Sequence, residues 1–227
     1  MSLKNKVVVI TGASKGLGRA LAEVFLSEGS KVTICSTNEQ EIKSIAKEIG
    51  ALGFCADVTK EEDMTQLAEA TIKKFGSIDI WINNAGIWLP HNFVENFDMS
   101  KVRKMFDVNI VGTINGTRVA LRHMKEKDSG TIIQIISDSA LVGRPKSTAY
   151  SASKWAVNGF TKGIREENKN ISILSIYPGG MKTYIFSENK PKNFAEMMNA
   201  KDVAKKVIAN LKLEKPEEEL IIQKPKT

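Results

Sequence analysis

The chain alternates short aliphatic runs with longer segments in which apolar positions recur every three or four residues. Uninterrupted runs of Val and Ile, such as 7–10, predict strands buried on both faces, and the longer period predicts amphipathic helices. The predicted strands are 7–10, 31–35, 53–56, 78–83, 131–137, 171–177 and 219–223, and the predicted helices are 17–28, 39–49, 61–75, 100–125, 150–168 and 201–211.

This regular alternation indicates the fold class. Parallel strands need crossover connections, and helices on both faces explain strands that lack polar alternation. We expect an α/β fold: one doubly wound, Rossmann-type domain over residues 1–227, with about seven parallel strands between two helix layers. Three irregular stretches, 88–99, 138–149 and 179–199, follow the fourth, fifth and sixth strands. Ligands bind at the carboxyl ends of such strands, so these stretches should form the walls of a site.

Composition and charge narrow the classes of function. The 227 residues carry a formal net charge of +7, but the lysines are dispersed beside glutamates and form no basic stripe, so no nucleic-acid partner is expected. Cys35 and Cys55 lie in apolar runs and are predicted to be core residues in a reducing compartment, with no metal site. Without a membrane-length apolar run or a cleavable leader, we expect a cytoplasmic protein with no membrane partner.

A glycine-rich turn follows the first strand, in the segment Thr11-Gly12-Ala13-Ser14-Lys15-Gly16-Leu17-Gly18. Gly12 permits a tight turn, Gly16 lets the backbone approach a pyrophosphate, and Gly18 allows close contact between helix and strand. The free N–H groups of the helix N-terminus attract anions. The turn, including Ser14, Lys15 and Leu17, is therefore predicted to bind a dinucleotide.

The end of the second strand bears on which dinucleotide is bound. An acidic residue there would pair with a free ribose 2′-hydroxyl, but Ser36 and Thr37 are followed by no carboxylate before Glu39. A hydroxyl-rich tip near Lys15 suits a 2′-phosphate, which favours NADP(H) over NAD(H). The alternative is that Ser36 and Thr37 are simply turn residues.

Tyr150 and Lys154 form a candidate acid–base pair. Four residues apart on a helix, they share one face. Moving a phenol pKa from ~10 to about 7 needs roughly 4 kcal/mol. An ammonium about 4 Å away at an effective dielectric of about 20 supplies roughly this amount, before the opposing desolvation. The alternative is a lysine stem packed over a ring.

Taken together, these segments resemble a short-chain dehydrogenase/reductase across nearly the whole chain. The motifs that carry the resemblance are Thr11-Gly12 with Gly16 and Gly18, Asn83-Asn84-Ala85-Gly86, Asn109, Ser137, Tyr150 with Lys154, and Pro178-Gly179. The resemblance implies that Tyr150 is the general acid and base, that Lys154 lowers its pKa and binds the nicotinamide ribose, and that Ser137 holds the substrate oxygen. Ser139 competes with Ser137, although spacing favours Ser137. Asn109 would support a water relay to the lysine; the alternative is a buried helix asparagine.

The resemblance implies further cofactor contacts. Asp57 and Val58 would contact adenine, although Asp57 also precedes a capping-box pattern, Thr59-x-x-Glu62, and both roles could hold. The turn Asn84-Ala85-Gly86 would lie against the adenosine ribose. Pro178 and Gly179 would break the sixth strand near the nicotinamide, and Thr183 would bond the carboxamide or pyrophosphate.

These observations predict an NADPH-dependent carbonyl reductase acting on a small-molecule carbonyl or alcohol, assembled as a homodimer or homotetramer. A catalytically idle dinucleotide-binding redox sensor is the alternative. The wall residues Ile87, Trp88, Leu89, Val142, Tyr184, Ile185 and Phe186 predict a largely apolar pocket. The C-terminal segment 219–225 differs from the Asp-Gly-Gly ending of fatty-acid-synthesis members of the family, which argues against an acyl-carrier-protein substrate.

Overall fold

The computed structural model describes residues 2–186, 189–191 and 193–224, and its main sheet contains seven parallel strands. These are β1 (Val7–Thr11), β2 (Lys31–Ser36), β3 (Leu52–Cys55), β4 (Ile80–Asn83), β5 (Thr131–Ile135), β6 (Ser172–Pro178) and β9 (Glu219–Ile222). Their order is β3-β2-β1-β4-β5-β6-β9, so the winding direction reverses between β1 and β4. The predicted doubly wound, seven-stranded sheet is confirmed, and the reversal marks where a ligand crevice is expected.

Seven α-helices connect the strands of the described chain. They are α1 (Gly16–Ser27), α2 (Glu39–Ile49), α3 (Glu61–Phe75), α4 (Met99–Phe106), α5 (Gly112–Glu126), α6 (Thr148–Glu167) and α7 (Ala200–Lys212). The single long helix predicted over 100–125 is α4 and α5 joined by a π-helical turn, Asp107–Val111. Such turns occur preferentially at functional sites, and this one contains Asn109.

Two hydrophobic cores fill the space between the sheet and its helices. One contains apolar residues of α1, α2 and α7, including Leu21 and Phe25, and the other contains residues of α3, α5 and α6, including Met64 and Leu67. All four of these side chains are fully buried. Helices therefore cover both faces of the sheet, as predicted, and leave the carboxyl ends of the strands to the connecting loops.

One core prediction is half wrong. Cys35 is fully buried, but Cys55 is exposed, because it is the last residue of β3, which pairs with β2 alone at the edge of the sheet. The Cys55 thiol donates to the Thr37 carbonyl at 3.7 Å. A short second sheet pairs β7 (Met181–Lys182) with β8 (Met198–Asn199) within the predicted third wall. Residues 187, 188 and 192 of that wall, and Pro225 of the C-terminal segment, lie outside the described residues.

Across the described ranges, each helix is too short or too polar to cross a membrane. Within the same ranges, groups of three or more His, Cys, Asp or Glu residues suited to hold a metal ion are absent.

Candidate active site at the carboxyl ends of the strands

The glycine turn after β1 has the geometry of an anion site. Gly12 and Gly16 adopt left-handed conformations, with φ of 61° and 62°. A Cβ at Gly12 would lie 2.7 Å from the Ala85 Cα, so a side chain there would collide with the loop after β4. Helix α1 begins directly after Lys15 with neither a side-chain cap nor an acidic residue in its first turn. Its free N–H groups and positive helix-dipole end therefore fit a pyrophosphate.

Asn84 fixes the shape of this turn from the neighbouring strand. Its side-chain amide donates to the Thr11 carbonyl at 2.8 Å and the Gly12 carbonyl at 2.9 Å. A Cβ at Gly18 would lie 2.5 Å from the Asn84 Nδ2 and 2.6 Å from the Gly12 carbonyl oxygen. The close approach at Gly18 is thus to Asn84 and the turn, whereas the sequence predicted contact with a strand.

The predicted adenine-side residues lie at the ends of the neighbouring strands β2 and β3. The Ser36 hydroxyl donates to the Asn38 carbonyl at 3.4 Å, and Thr37 is exposed. The Asp57 carboxylate accepts from the Thr59 N–H at 3.0 Å and the Thr59 hydroxyl at 2.8 Å. The capping box predicted from Thr59 is wrong, because α3 begins only at Glu61, after Lys60.

Val58, which follows β3 in the sequence, packs against α5. A Cβ at Gly112 would lie 2.5 Å from the Val58 Cγ2, so the first residue of α5 has to be small for the helix to approach. The Val58 carbonyl accepts from the Asn115 Nδ2 at 3.0 Å. These contacts hold the segment after β3 against α5, which follows the π-helical turn that contains Asn109.

Tyr150, Lys154 and Ser137 come together where β5 ends against α6. The Lys154 ammonium donates to the Ile135 carbonyl at 3.2 Å and lies 5.7 Å from the centroid of the Tyr150 ring. The Ser137 side chain lies close enough to the Tyr150 phenol to lower its pKa. Lys154 and Ser137 are 5% and 8% exposed. Of the two candidate serines, Ser137 is the one that contacts the phenol; the Ser139 N–H donates to the Ser137 oxygen at 3.1 Å.

The expected lowering of the phenol pKa is wrong for the polypeptide itself. Burial raises the pKa of Tyr150 to about 12, outweighing the lowering effect of Ser137. Burial also lowers the pKa of Lys154 to about 8. Both shifts have the same largest cause, since a desolvated site disfavours phenolate and ammonium alike. The expected lowering was based on the attraction between the two charged groups and did not include the desolvation of each group.

Asp138 is a residue of this site that sequence reasoning missed. Its carboxylate accepts from Arg144 at 2.7 Å and from the Ser137 hydroxyl at 3.4 Å. Burial raises the pKa of Asp138, while Arg144 lowers it, and the negative charge of Asp138 raises the pKa of Tyr150. The sequence feature that could have identified Asp138 is its position directly after Ser137.

Asn109 is almost completely buried and contacts the loop after β4. Its Oδ1 accepts from the Ile87 N–H at 2.8 Å, and its Nδ2 donates to the Ile87 carbonyl at 3.0 Å. A Cβ at Gly86 would lie 3.3 Å from the Asn109 Oδ1 and 3.6 Å from the Lys154 Nζ. Asn109 and Lys154 therefore meet over Gly86, with the asparagine amide directed at Ile87.

The loops after β4 and β6 meet over the site. The Trp88 ring packs edge-on against Phe186 at 5.0 Å between centroids, whereas Val142 is half exposed. Thr183 is brought to the glycine turn, since a Cβ at Gly16 would lie 3.5 Å from its Cβ. Beyond Pro178, where β6 ends, is a cavity of about 230 Å³, and none of the seven predicted wall residues lines it: its lining residues are Asp138, Gly179, Gly180, Asn193, Glu196, Met197, Met198, Gln223 and Lys224.

Comparisons with known proteins show that the chain is similar to oxidoreductases. The family model described as short chain dehydrogenase matches residues 6–193. An uncharacterized oxidoreductase of Staphylococcus saprophyticus is 36% identical over 216 residues, covering 92% of both proteins. L-fucose dehydrogenase of Bos taurus is 32% identical over 186 residues, covering 81% of this chain and 68% of that protein. The crystal structure of a 3-ketoacyl-(acyl-carrier-protein) reductase from Brucella melitensis complexed with NADH superimposes with a TM-score of 0.91, at 28% identity over 97% of this chain and 98% of that one.

Proposed function

The chain belongs to the short chain dehydrogenase family of oxidoreductases, and on that basis we propose that it is an NADPH-dependent carbonyl reductase with Tyr150 as its general acid and base. The observation that carries the proposal is the convergence of Tyr150, Lys154 and Ser137 at the carboxyl end of β5, with Lys154 over Gly86. A panel of ketones, aldehydes and hydroxy acids, followed by cofactor absorbance, tests it. Binding of NADPH without turnover of any panel member would favour the redox-sensor alternative.

We assign the cofactor to the edge that runs from the end of β3 to the end of β6. The pyrophosphate would lie at the α1 N-terminus over Gly12, Ser14, Gly16 and Leu17, and the adenosine half would lie toward Ser36, Thr37, Asp57 and Val58. Ala85 and Gly86 border its middle, and Pro178, Gly179 and Thr183 border its nicotinamide end. When bound, the dinucleotide supplies or accepts the hydride.

The proposed chemistry assigns one task to each side chain. The Tyr150 phenol donates its proton to the carbonyl oxygen and takes it back when an alcohol is oxidised. Ser137 donates a hydrogen bond to the same oxygen, and Lys154 holds the ribose side of the site with a positive charge. Since the phenol pKa is raised, Tyr150 is protonated at neutral pH, which suits the direction of carbonyl reduction.

The preference for NADP(H) rests on Ser36, Thr37 and Lys15. Lys15 is an exposed cation whose Nζ lies over the Tyr184 ring, 5.9 Å from its centroid. The first carboxylate after β2, Glu39, is ion-paired with Lys43. This leaves no described carboxylate in the segment 36–38 to repel a 2′-phosphate.

We expect Ser36→Asp to weaken NADPH binding by at least about tenfold and to leave NADH binding unchanged or stronger, because a carboxylate opposes the 2′-phosphate. Calorimetric dissociation constants for both cofactors measure this effect. Ser36→Asn is the matched control, since it has the same shape without the charge. Tighter binding of NADH than of NADPH by the unaltered protein would contradict the preference.

Asp138→Asn should move the rise of alcohol oxidation with increasing pH to lower pH. Oxidation needs the phenolate, and the Asp138 charge is one cause of the raised Tyr150 pKa. Removing that charge lowers the phenol pKa, so the phenolate form is reached at lower pH. The pH dependence of kcat for oxidation measures the shift, and an unchanged or higher apparent pKa would count against it. Asp128→Asn, on an exposed turn remote from β5's end, serves as the charge-matched control.

We also propose a homodimer or homotetramer formed through α6. Trp155 is 51% exposed, and it lies beside the exposed small residues Ala152, Ala156 and Gly159 on one helix face. Val157, in contrast, is a core residue. Sedimentation velocity of Trp155→Lys against the unaltered chain tests the assignment, and a monomer in both would contradict it.

A further inference from the structure

Ser153 links the acid–base pair to the rest of the site. Its hydroxyl donates to the Tyr150 carbonyl at 2.7 Å and accepts from the Asn109 Nδ2 at 3.1 Å. The side chain is completely buried. Because the hydroxyl gives its one proton to Tyr150 and receives one from Asn109, both of its hydrogen bonds have a fixed direction.

The side-chain amide of Asn109 uses both its oxygen and its nitrogen in hydrogen bonds to two residues, Ile87 and Ser153. Its Oδ1 and one Nδ2 contact hold both backbone groups of Ile87, and the other Nδ2 contact is with Ser153. Without the Ser153 oxygen, an amide N–H would be left unpaired in a site that is 1% exposed. A buried group in that position must rotate or shift to find another partner.

The loop that Asn109 holds is also the loop under the lysine. A Cβ at Gly86 would lie 3.6 Å from the Lys154 Nζ, so the ammonium lies directly over this backbone. Three separate segments therefore meet here: the loop after β4, the π-helical turn and α6. In the described part of the chain, Ser153 is the residue through which the Asn109 side chain hydrogen-bonds α6.

We propose that Ser153 is a positioning residue, which fixes Tyr150 and Lys154 relative to the Gly86–Ile87 loop by way of Asn109. The inference rests on the proposed function, because it concerns the rate of the reaction that Tyr150 and Lys154 carry out. It assigns Ser153 no contact with substrate or cofactor.

Helix α6 provides a matched control two residues earlier. Ser151 is also buried, at 6% exposure, and its hydroxyl has no hydrogen-bond partner among the described residues. Ser151→Ala removes the same atom from the same helix without leaving a partner unpaired. A difference between the two variants therefore measures the link itself and not the loss of a buried hydroxyl.

The experiment compares Ser153→Ala with Ser151→Ala in steady-state turnover of NADPH and an accepted carbonyl. We expect Ser153→Ala to lower kcat by about 10- to 100-fold, as a small displacement of reacting groups does, with the cofactor dissociation constant nearly unchanged. Ser151→Ala should retain kcat within about twofold. Ser153→Cys, which is slightly larger and keeps a weak donor, should fall between them and carries the comparison if Ser153→Ala does not fold.

Two further readouts separate positioning from plain stability. The apparent pKa of turnover should shift in Ser153→Ala but not in Ser151→Ala. The titratable pair is Tyr150 and Lys154, and the charged groups that face it are Asp138 and the Arg144 bound to Asp138. In a double-mutant cycle, adding Asn109→Ala to Ser153→Ala should cost far less than the sum of the single losses.

Equal kcat for the two serine variants, or additive losses with Asn109→Ala, would overturn the proposal. Failure of the unaltered protein to turn over any carbonyl would instead overturn the proposed function, so the two failures are distinguishable.

Discussion

Replacing Tyr150 by phenylalanine is expected to lower turnover by about 10²- to 10⁴-fold, which is the usual contribution of a general acid or base. The substitution removes only the phenol hydroxyl, whose pKa the neighbouring Ser137 lowers. The ring remains packed with Ile87 and Leu89 over Val102 and Met105, so the fold and the cofactor edge should be unaffected. Turnover is measured by cofactor absorbance, and NADPH binding is measured separately by calorimetry.

Tyr177→Phe is the matched control for this prediction. The Tyr177 hydroxyl donates to the Asn158 Oδ1 at 2.8 Å inside the core, so its loss should cost about 1 kcal/mol of unfolding free energy and leave kcat nearly unchanged. Tyr150→Phe should show the opposite pattern. Turnover persisting in Tyr150→Phe at more than about a tenth of the original rate would remove the phenol from the mechanism.

Lys154→Met should reduce kcat/KM by about 10²- to 10³-fold, as the loss of one preorganised charged donor does. Methionine has a similar length and apolar stem, but it cannot donate to the Ile135 carbonyl or place a charge beside the phenol. Since the Lys154 pKa is lowered to about 8, its ammonium is lost as the pH rises through that value. A transition in activity near that pH should therefore be absent from Lys154→Met.

Lys154→Met should lower activity but should not lower the free energy of unfolding. The folded pKa of Lys154, about 8, lies below the unfolded value of 10.5, so the unfolded chain binds more protons between these pH values. The contribution of Lys154 to unfolding free energy thus rises with pH across this window and is unfavourable below it. Lys154→Met lacks this penalty, and chemical denaturation at pH 7 should show that it is no less stable than the original chain.

Lys162→Met, two turns later on α6, tests whether any lysine on this helix would behave alike. Its ammonium is exposed and lies 3.8 Å from Glu219. An exposed pair of this kind contributes about 0–1 kcal/mol, so activity and its pH dependence should be unchanged. Equal effects of Lys154→Met and Lys162→Met on turnover would refute the assigned role.

Much of the candidate site was predictable because local backbone geometry determines which residue types occur there and which of them share a face. Tyr150 and Lys154 share a helix face by their spacing, and Gly12 is required by a left-handed turn. Asp138, Arg144 and Ser153 were not predictable in the same way. Their importance comes from partners that β5, α6 and the π-helical turn bring together, as in the bond between Ser153 and Asn109, 44 residues apart in sequence.

The failed predictions share a cause with these omissions. The burial of Cys55 depended on whether β3 has one neighbour or two, and β3 proved to be an edge strand. The capping box at Thr59 depended on where α3 begins, which the Asp57 and Asp63 contacts around that turn help to set. In both cases the local pattern was compatible with two environments.

The amino-acid sequence by itself determined the order of strands and helices along the chain, the doubly wound sheet, the left-handed turn at Gly12 and the helix face that Tyr150 and Lys154 share. These depend on hydrophobic periodicity and on backbone conformations that few residues adopt, and both are local properties. Only the tertiary structure decided the direction of the pKa shifts of Tyr150 and Lys154, because desolvation and the charge of Asp138 act through distances across the fold. It also decided which buried donors and acceptors around Tyr150 and Lys154 are paired, since such groups are paired by packing and not by their separation along the chain.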